Sequence, residues 1–344
     1  MKPHIHDILK LGKEILEIPS PTGYSEKIIP YLISKLNNLP YEYEVTPKGN
    51  LLIHLEGNDT SKHVALSAHT DTLGLMVRSI QSNGTLKVTT LGGIIVPTLD
   101  GEYCHVITRD NKLISGTILY KSPSSHVYKD ANSGVREVDN MIIRLDEVVK
   151  SKQDVEALGI QNGDIIAIDP KTQITPSGFI KSRFLDDKIS VAILLALLEY
   201  AHKTNQKPVF NTTFIISTYE EVGHGTAWIP SSITEMIAVD MGCIGEDLAC
   251  TEYDVSICAK DSSGPYDRDM ITSLKSMAVK KSLNHVLDIY PMYGSDVSAA
   301  LRGGANIKGA LIGPGVMASH GMERTHGDAV EATFELLKSY LNLG

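Results

Sequence analysis

Two adjacent carboxylates, Glu220 and Glu221, close the apolar run Ile215-Ile216-Ser217-Thr218-Tyr219, and Val222 and Gly223 follow them. An apolar, β-branched run of this kind reads as a buried strand, and the carboxyl end of a strand is where an open α/β sheet presents its ligand-binding groups. Neighbouring residues at a strand end point in different directions, so one glutamate can grip a metal while the other moves a proton. An isolated Glu-Glu pair is ordinarily a solvated pair at a turn. Its meaning here depends on what the rest of the chain supplies.

Matching partners recur. The run His63 to Ala68 is a second apolar strand ending in His69 and Asp71, which share a face at i and i+2. A histidine there can ligate a metal while the aspartate fixes the imidazole or a neighbouring group from behind. Asp186 and Asp187 precede the helix Ile189 to Tyr200, which is apolar on nearly all sides and therefore buried. The two aspartates fit either a helix N-cap, stabilising by about 1 kcal/mol, or a metal site. Met236 to Val239 is another apolar strand, again ending in a carboxylate, Asp240, and His320 stands in the late polar stretch Ser319 to His326. Each residue alone fits a structural role. Together they form one pattern, with hydrophobic strands delivering imidazole or carboxylate at a common end. Nitrogen and oxygen donors in this mixture suit a pair of zinc or cobalt ions, whereas calcium prefers an all-oxygen cage. The chain has no Gly-X-Ser-X-Gly elbow, phosphate loop or dinucleotide fingerprint.

The elements that must position these residues follow from texture. A chain of 344 residues with 42% hydrophobic and 21% charged content is a soluble globular protein of about two domains. Its formal charge of −9 gives no footprint for nucleic acid or a membrane surface, and no run approaches the roughly 18–20 apolar residues of a membrane span. The N-terminus lacks the apolar core of a signal peptide, and Cys104, Cys243, Cys250 and Cys258 are scattered without metal-finger spacing. They read as reduced thiols of a cytoplasmic protein. Two amphipathic helices, around Ile8–Leu16 and Ile28–Leu36, precede an antiparallel pair at Tyr41–Val45 and Leu51–Leu55. From 72 to 175 short β-prone stretches alternate with Gly, Pro, Ser and Asn, which predicts an inserted β barrel or sandwich. Residues 1–71 and 176–344 then form one discontinuous α/β domain.

The set His69-Thr70-Asp71, Leu185-Asp186-Asp187-Lys188, Glu220-Glu221-Val222-Gly223, Val239-Asp240-Met241-Gly242 and Ser319-His320-Gly321 resembles the glutamyl-aminopeptidase and tetrahedral-aminopeptidase family of co-catalytic dizinc metalloaminopeptidases. The resemblance runs over nearly the whole chain. It implies a mixed-sheet, three-layer α/β/α exopeptidase domain with an inserted, mostly β barrel that pairs subunits into homo-oligomers, up to twelve-subunit tetrahedral particles. It also implies roles. Asp186 would bridge two ions, His69 and Asp240 would complete one site, and Glu221 and His320 the other. Glu220 would be the general base and Asp71 the partner of His69, with a cis peptide between Asp186 and Asp187. The activity implied is release of the N-terminal residue from short peptides. Two departures stand out: the last motif reads Met317-Ala318-Ser319-His320-Gly321-Met322-Glu323, with His326 close by, and Lys188 occupies a position where many members have arginine. A related dizinc deacylase or carboxypeptidase would use nearly the same ligands, and a non-catalytic oligomeric scaffold would not need Glu220. A glycan hydrolase is disfavoured, since two adjacent glutamates cannot readily flank one glycosidic bond.

Overall fold

Strand Asp59–His69 is exposed where it begins and buried where it ends, because its apolar half, Val64 to Ala68, lies inside a ten-stranded mixed sheet. In this computed structural model, which describes residues 2–344, eight of its strands run in the order Glu42–Val45, Leu51–Leu55, Phe210–Ser217, Asp59–His69, Glu235–Val239, Lys308–Val316, Val255–Asp261 and Gly264–Pro265, while Gly242–Cys243 pairs with Lys308–Val316 and His285–Ile289 with Val255–Asp261. The four strands from Phe210–Ser217 to Lys308–Val316 are mutually parallel, so their carboxyl ends lie side by side. Ser217 is directly opposite His69 in this register, and Asp240 follows the end of strand Glu235–Val239.

The described residues also form seven α-helices: α1 (Pro3–Leu16), α2 (Ile28–Leu36), α3 (Lys152–Ala157), α4 (Leu185–Lys203), α5 (Arg268–Lys280), α6 (Asp296–Arg302) and α7 (Gly327–Leu341). Helices α1, α4 and α7 pack on one another, and α4 and α7 cover the sheet. α6 also packs on the sheet, against strands Asp59–His69, Glu235–Val239 and Lys308–Val316. α4 carries buried Ile189, Val191, Ala192, Ile193 and Leu194 on successive faces. Each buried leucine or isoleucine of this kind contributes about 1.5–3 kcal/mol relative to exposure. That rigid rod fixes the site residues at its start. Asp186 and Asp187 have non-helical ψ of 99° and 22°, and the peptide between them is cis.

The strands Gly74–Ile80, Leu86–Leu91, Met141–Leu145, Leu113–Tyr120, Tyr103–Ile107 and Ile165–Ile168 close into a barrel in that order. The Gly, Leu and Met that open Gly74–Ile80 give little β signal by themselves, and its strand character comes from pairing with Leu86–Leu91. After the barrel, strand Phe179–Ser182 pairs antiparallel with Glu323–His326. That small sheet brings the segment before Asp186 beside the turn that bears His320.

Candidate metal centre

His69 is 1% exposed, and both ring nitrogens face oxygens. Nδ1 lies 2.9 Å from the main-chain carbonyl of Asp71, and Nε2 lies 3.1 Å from Asp186 Oδ1. A carbonyl can only accept, so Nδ1 carries the hydrogen and Nε2 turns its other site toward a carboxylate. Of the two roles open to it, the Asp71 carboxylate takes that of fixing neighbouring groups rather than the imidazole. It accepts from Thr22 Oγ1 at 2.7 Å and from the main-chain N–H groups of Glu220 at 3.1 Å and Glu221 at 3.4 Å. Asp71 therefore orients His69 through its backbone and the two glutamates through its side chain, while Oδ1 stays 3.7 Å from the imidazole.

Asp186 offers its second oxygen to the other imidazole, with Oδ2 3.6 Å from His320 Nε2. His320 Nε2 is also 3.8 Å from Glu221 Oε2, and its Nδ1 lies 2.9 Å from the carbonyl of Gly93, in the loop between barrel strands. The same donor logic leaves Nε2 facing carboxylates. Glu323, 2% exposed, accepts from the main-chain N–H of His320 at 2.9 Å and of Asp186 at 3.0 Å, tying the two segments together. His326 is elsewhere: its Nε2 meets Ser177 O, its Nδ1 accepts from Asp328 N–H, and it caps α7.

Glu220 and Glu221 do not sit on the strand. Strand Phe210–Ser217 ends earlier, Tyr219 takes a left-handed φ of 64°, and the glutamates form a 3₁₀ turn, Glu220–Val222. The turn, rather than the pleat, separates their directions. Glu220 Oε2 lies 3.7 Å from His69 Nε2, while Glu221 faces His320. Asp240 is buried beside them and accepts from Met241 N–H at 2.7 Å. Asp187 and Tyr293 also reach this site. Asp187 Oδ2 accepts from His69 N–H at 3.0 Å while its Oδ1 has no partner, and the Tyr293 hydroxyl is buried without one. Asp187 was legible only as the second member of an Asp-Asp pair. Glu323 was legible only as the residue closing the His320 motif, and Tyr293 and Thr22 carried no signal of a role in the metal centre.

The electrostatics call for cations. Burial pushes Glu220, Glu221, Asp187 and Glu323 well above the ordinary carboxyl range, with neighbouring carboxylates adding to it. Burial and the Asp186 charge raise Asp240 to about 8. Burial opposes a charged His69, yet its Asp186 hydrogen bond and the charges of Glu220 and Asp240 carry it well above its usual value. Two clusters place donor atoms within 4.8 Å of one another: His69, Asp187 and Asp240, and His69, Asp186 and Glu221. Glu221 Oε1 is buried without a hydrogen-bond partner. Buried carboxylates of like charge persist only when paired with positive charge or protonated. The donor set fits divalent ions bound through nitrogen and oxygen.

This mixed α/β fold with a closed barrel, gathering imidazoles and carboxylates at its parallel strand ends, is that of the metal-dependent aminopeptidases. Residues 49–336 match the M42 glutamyl aminopeptidase family, and the chain belongs to that family. It is 46% identical over 338 residues to YhfE of Bacillus subtilis (strain 168), covering 98% of each chain. Its fold is shared by aminopeptidase APDkam598 of the archaeon Desulfurococcus kamchatkensis, with a TM-score of 0.87 and 22% identity over 99% of this chain and 96% of that one. It is shared also by the TET1 peptidase of Pyrococcus horikoshii, with a TM-score of 0.85 and 22% identity over 97% of this chain and 99% of that one. Among the described residues no helix is long and apolar enough to cross a membrane.

Proposed function

We propose that this chain is a dinuclear metalloaminopeptidase that releases the N-terminal residue of short peptides. The observation that carries this reading is the single Asp186 carboxylate, whose two oxygens face two different imidazoles whose hydrogens are committed to carbonyls. Asp186 would bridge two zinc or cobalt ions, with His69 and Asp240 on one side and Glu221 and His320 on the other. The ions, when bound, supply Lewis acidity that polarises the scissile carbonyl and lowers the pKa of water toward neutrality. Glu220 takes the proton of the attacking water and returns it to the leaving amine. Asp71 holds that base in place by accepting the Glu220 N–H. The barrel (residues 72–175 as a domain) would pair subunits, as the P. horikoshii relative "can assemble into a tetrahedron or a large octahedral shell". Four free cysteines suit a reducing, cytoplasmic setting.

The test is Glu220→Gln together with paired peptides bearing free and acetylated N-termini, each with added zinc or cobalt and after chelation. The expected result is metal-dependent release of the first residue from free termini only, lost by at least about 100-fold in Glu220→Gln while two metals still bind. Near-normal turnover by Glu220→Gln would sink the assignment of the base. Cleavage of the acetylated series would instead make the protein an amidohydrolase. Mass in solution tests the assembly, and a monomer would contradict it.

A further inference from the structure

The turn that carries Glu220 and Glu221 leaves its strand at Ser217 and is closed at Thr226, and the hydroxyls at both ends point to one residue. Ser217 Oγ donates to Asp296 Oδ2 at 2.6 Å. Thr226 Oγ1 donates to the main-chain carbonyl of Asp296 and lies 3.3 Å from Oδ1. Asp296 is 2% exposed. A buried carboxylate is costly unless it is hydrogen-bonded, and these bonds come from the residues bracketing the turn.

The space between Asp296 and the glutamate is closed as well. A Cβ at Gly225 would come 2.4 Å from Asp296 Oδ1 and 3.2 Å from Glu220 Cα, so only a glycine separates the carboxylate from the Glu220 backbone. Asp296 itself does not drift. It opens α6 directly after the Ser295 capping box, in which Ser295 N–H donates to Ser298 Oγ at 2.8 Å. α6 in turn packs on the sheet through Val297, which closes on Gly309. The turn is therefore held from the front by the Asp71 carboxylate on the Glu220 and Glu221 N–H groups, and from behind by Asp296.

We infer that Asp296 is a positioning residue for the reaction, a clamp that joins both ends of the turn and so sets where the Glu220 carboxylate stands. The inference rests on the reading of Glu220 as the base. Outer partners that orient a catalytic group typically matter by 10- to 100-fold. The test uses the metal-loaded, assembled enzyme with Asp296→Asn, Asp296→Ala, Ser217→Ala and Thr226→Val. kcat and KM on a free-terminus peptide are normalised to bound metal. Expected for Asp296→Ala is a fall in kcat on the order of 10- to 100-fold, with metal content and KM little changed. Asp296→Asn, which keeps the shape and one acceptor, recovers part of the loss. Each hydroxyl variant loses less than Asp296→Ala. Adding Ser217→Ala to Asp296→Ala costs nothing further, because the partner is already gone. Full kcat per loaded site in these variants, a loss that tracks lost metal, or losses that simply multiply would each overturn the clamp. Should Asp296→Ala fail to fold, the two hydroxyl variants and Asp296→Asn decide the matter alone. An inactive Glu220→Gln beside fully active Asp296 variants removes only the clamp, whereas an active Glu220→Gln removes the reading beneath it.

Discussion

His69 closes a central strand and is 1% exposed at its side chain, whereas His320 stands in a left-handed turn at φ 65° with 34% of its side chain open. The imidazole of His69 is oriented from two residues away, by the carbonyl of Asp71. That of His320 is oriented from 227 residues away, by the carbonyl of Gly93 in a loop of the barrel, and Ile95 N–H donates to the His320 carbonyl at 3.2 Å. One half of the centre is thus built where a central strand end meets the start of α4, with both imidazole partners supplied from there. The other half is completed by contacts between the His320 turn and the loop Gly92–Ile95 of the barrel. If two ions bind as proposed, the difference predicts unequal hold, the His69 side firm and the His320 side exchangeable.

The strongest way to break this comparison is to remove each imidazole. His69→Ala leaves Asp186, Asp187 and Asp240 facing one another without their central cation, and loss of one partner from such a buried pair destabilises by about 3–5 kcal/mol. Both metals and all activity are expected to go with it, with a lowered Tm. His320→Ala is expected to lose one equivalent of metal and most turnover, yet to shift stability by about 1 kcal/mol or less, as for an exposed pair. Equal loss of metal and Tm in the two variants would erase the distinction.

A second test removes the metals and follows pH. In the metal-free protein burial, and next the Asp186 charge, hold Asp240 at about 8. A carboxyl raised above its unfolded value is favoured by folding while protonated. Its contribution is complete below the unfolded pKa of about 4 and is lost as pH rises through about 8. The Tm of the chelated protein should therefore fall between pH 5 and pH 9, while the loaded protein should lose Tm on acidification as protons displace its ions. A chelated protein whose Tm rises over that interval would show that the cluster is not held together by protons.

The smallest effect sharpens the comparison most. Gly92 has φ +76°, and a Cβ there would stand 2.4 Å from Leu73 Cδ2 and 3.1 Å from the Glu221 carbonyl. Gly92→Ala should push the barrel loop away from His320, weakening the second ion by roughly tenfold while leaving the first in place. Competition with a chelator, reading one equivalent at a time, distinguishes this from uniform weakening.

The strand ends were legible because apolar runs stop abruptly at His69 and Asp240, and the order of motifs drew His320 into the same set. The parallel register of Ser217 against His69 and of Val239 against Ile312 is what turns those separate endings into one place. What stayed hidden depends on main-chain atoms. A carbonyl at Asp71 or Gly93 has no letter in a sequence, so the true partners of both imidazoles could not be read. Which groups Asp71 and Glu323 hold was hidden for the same reason, since both bind backbone N–H groups. The 3₁₀ turn at Glu220 was masked because the strand pattern runs smoothly into it. The barrel was recognisable from its turn residues, though Gly74–Ile80 was not, since its β character comes from pairing with Leu86–Leu91.

The loop Gly92–Ile95 also bears on how such proteins can be recombined. A chimera that exchanges the barrel for that of a relative would keep every imidazole and carboxylate of the site and could still lose one ion. The hydrogen-bond acceptor at Gly93 and the donor at Ile95 travel with the barrel, while the ring they hold stays behind. A functional graft must carry this loop in register with its acceptor turn, or move both, so the seam for exchange lies inside the barrel beyond Ile95 rather than at the boundary between the two domains.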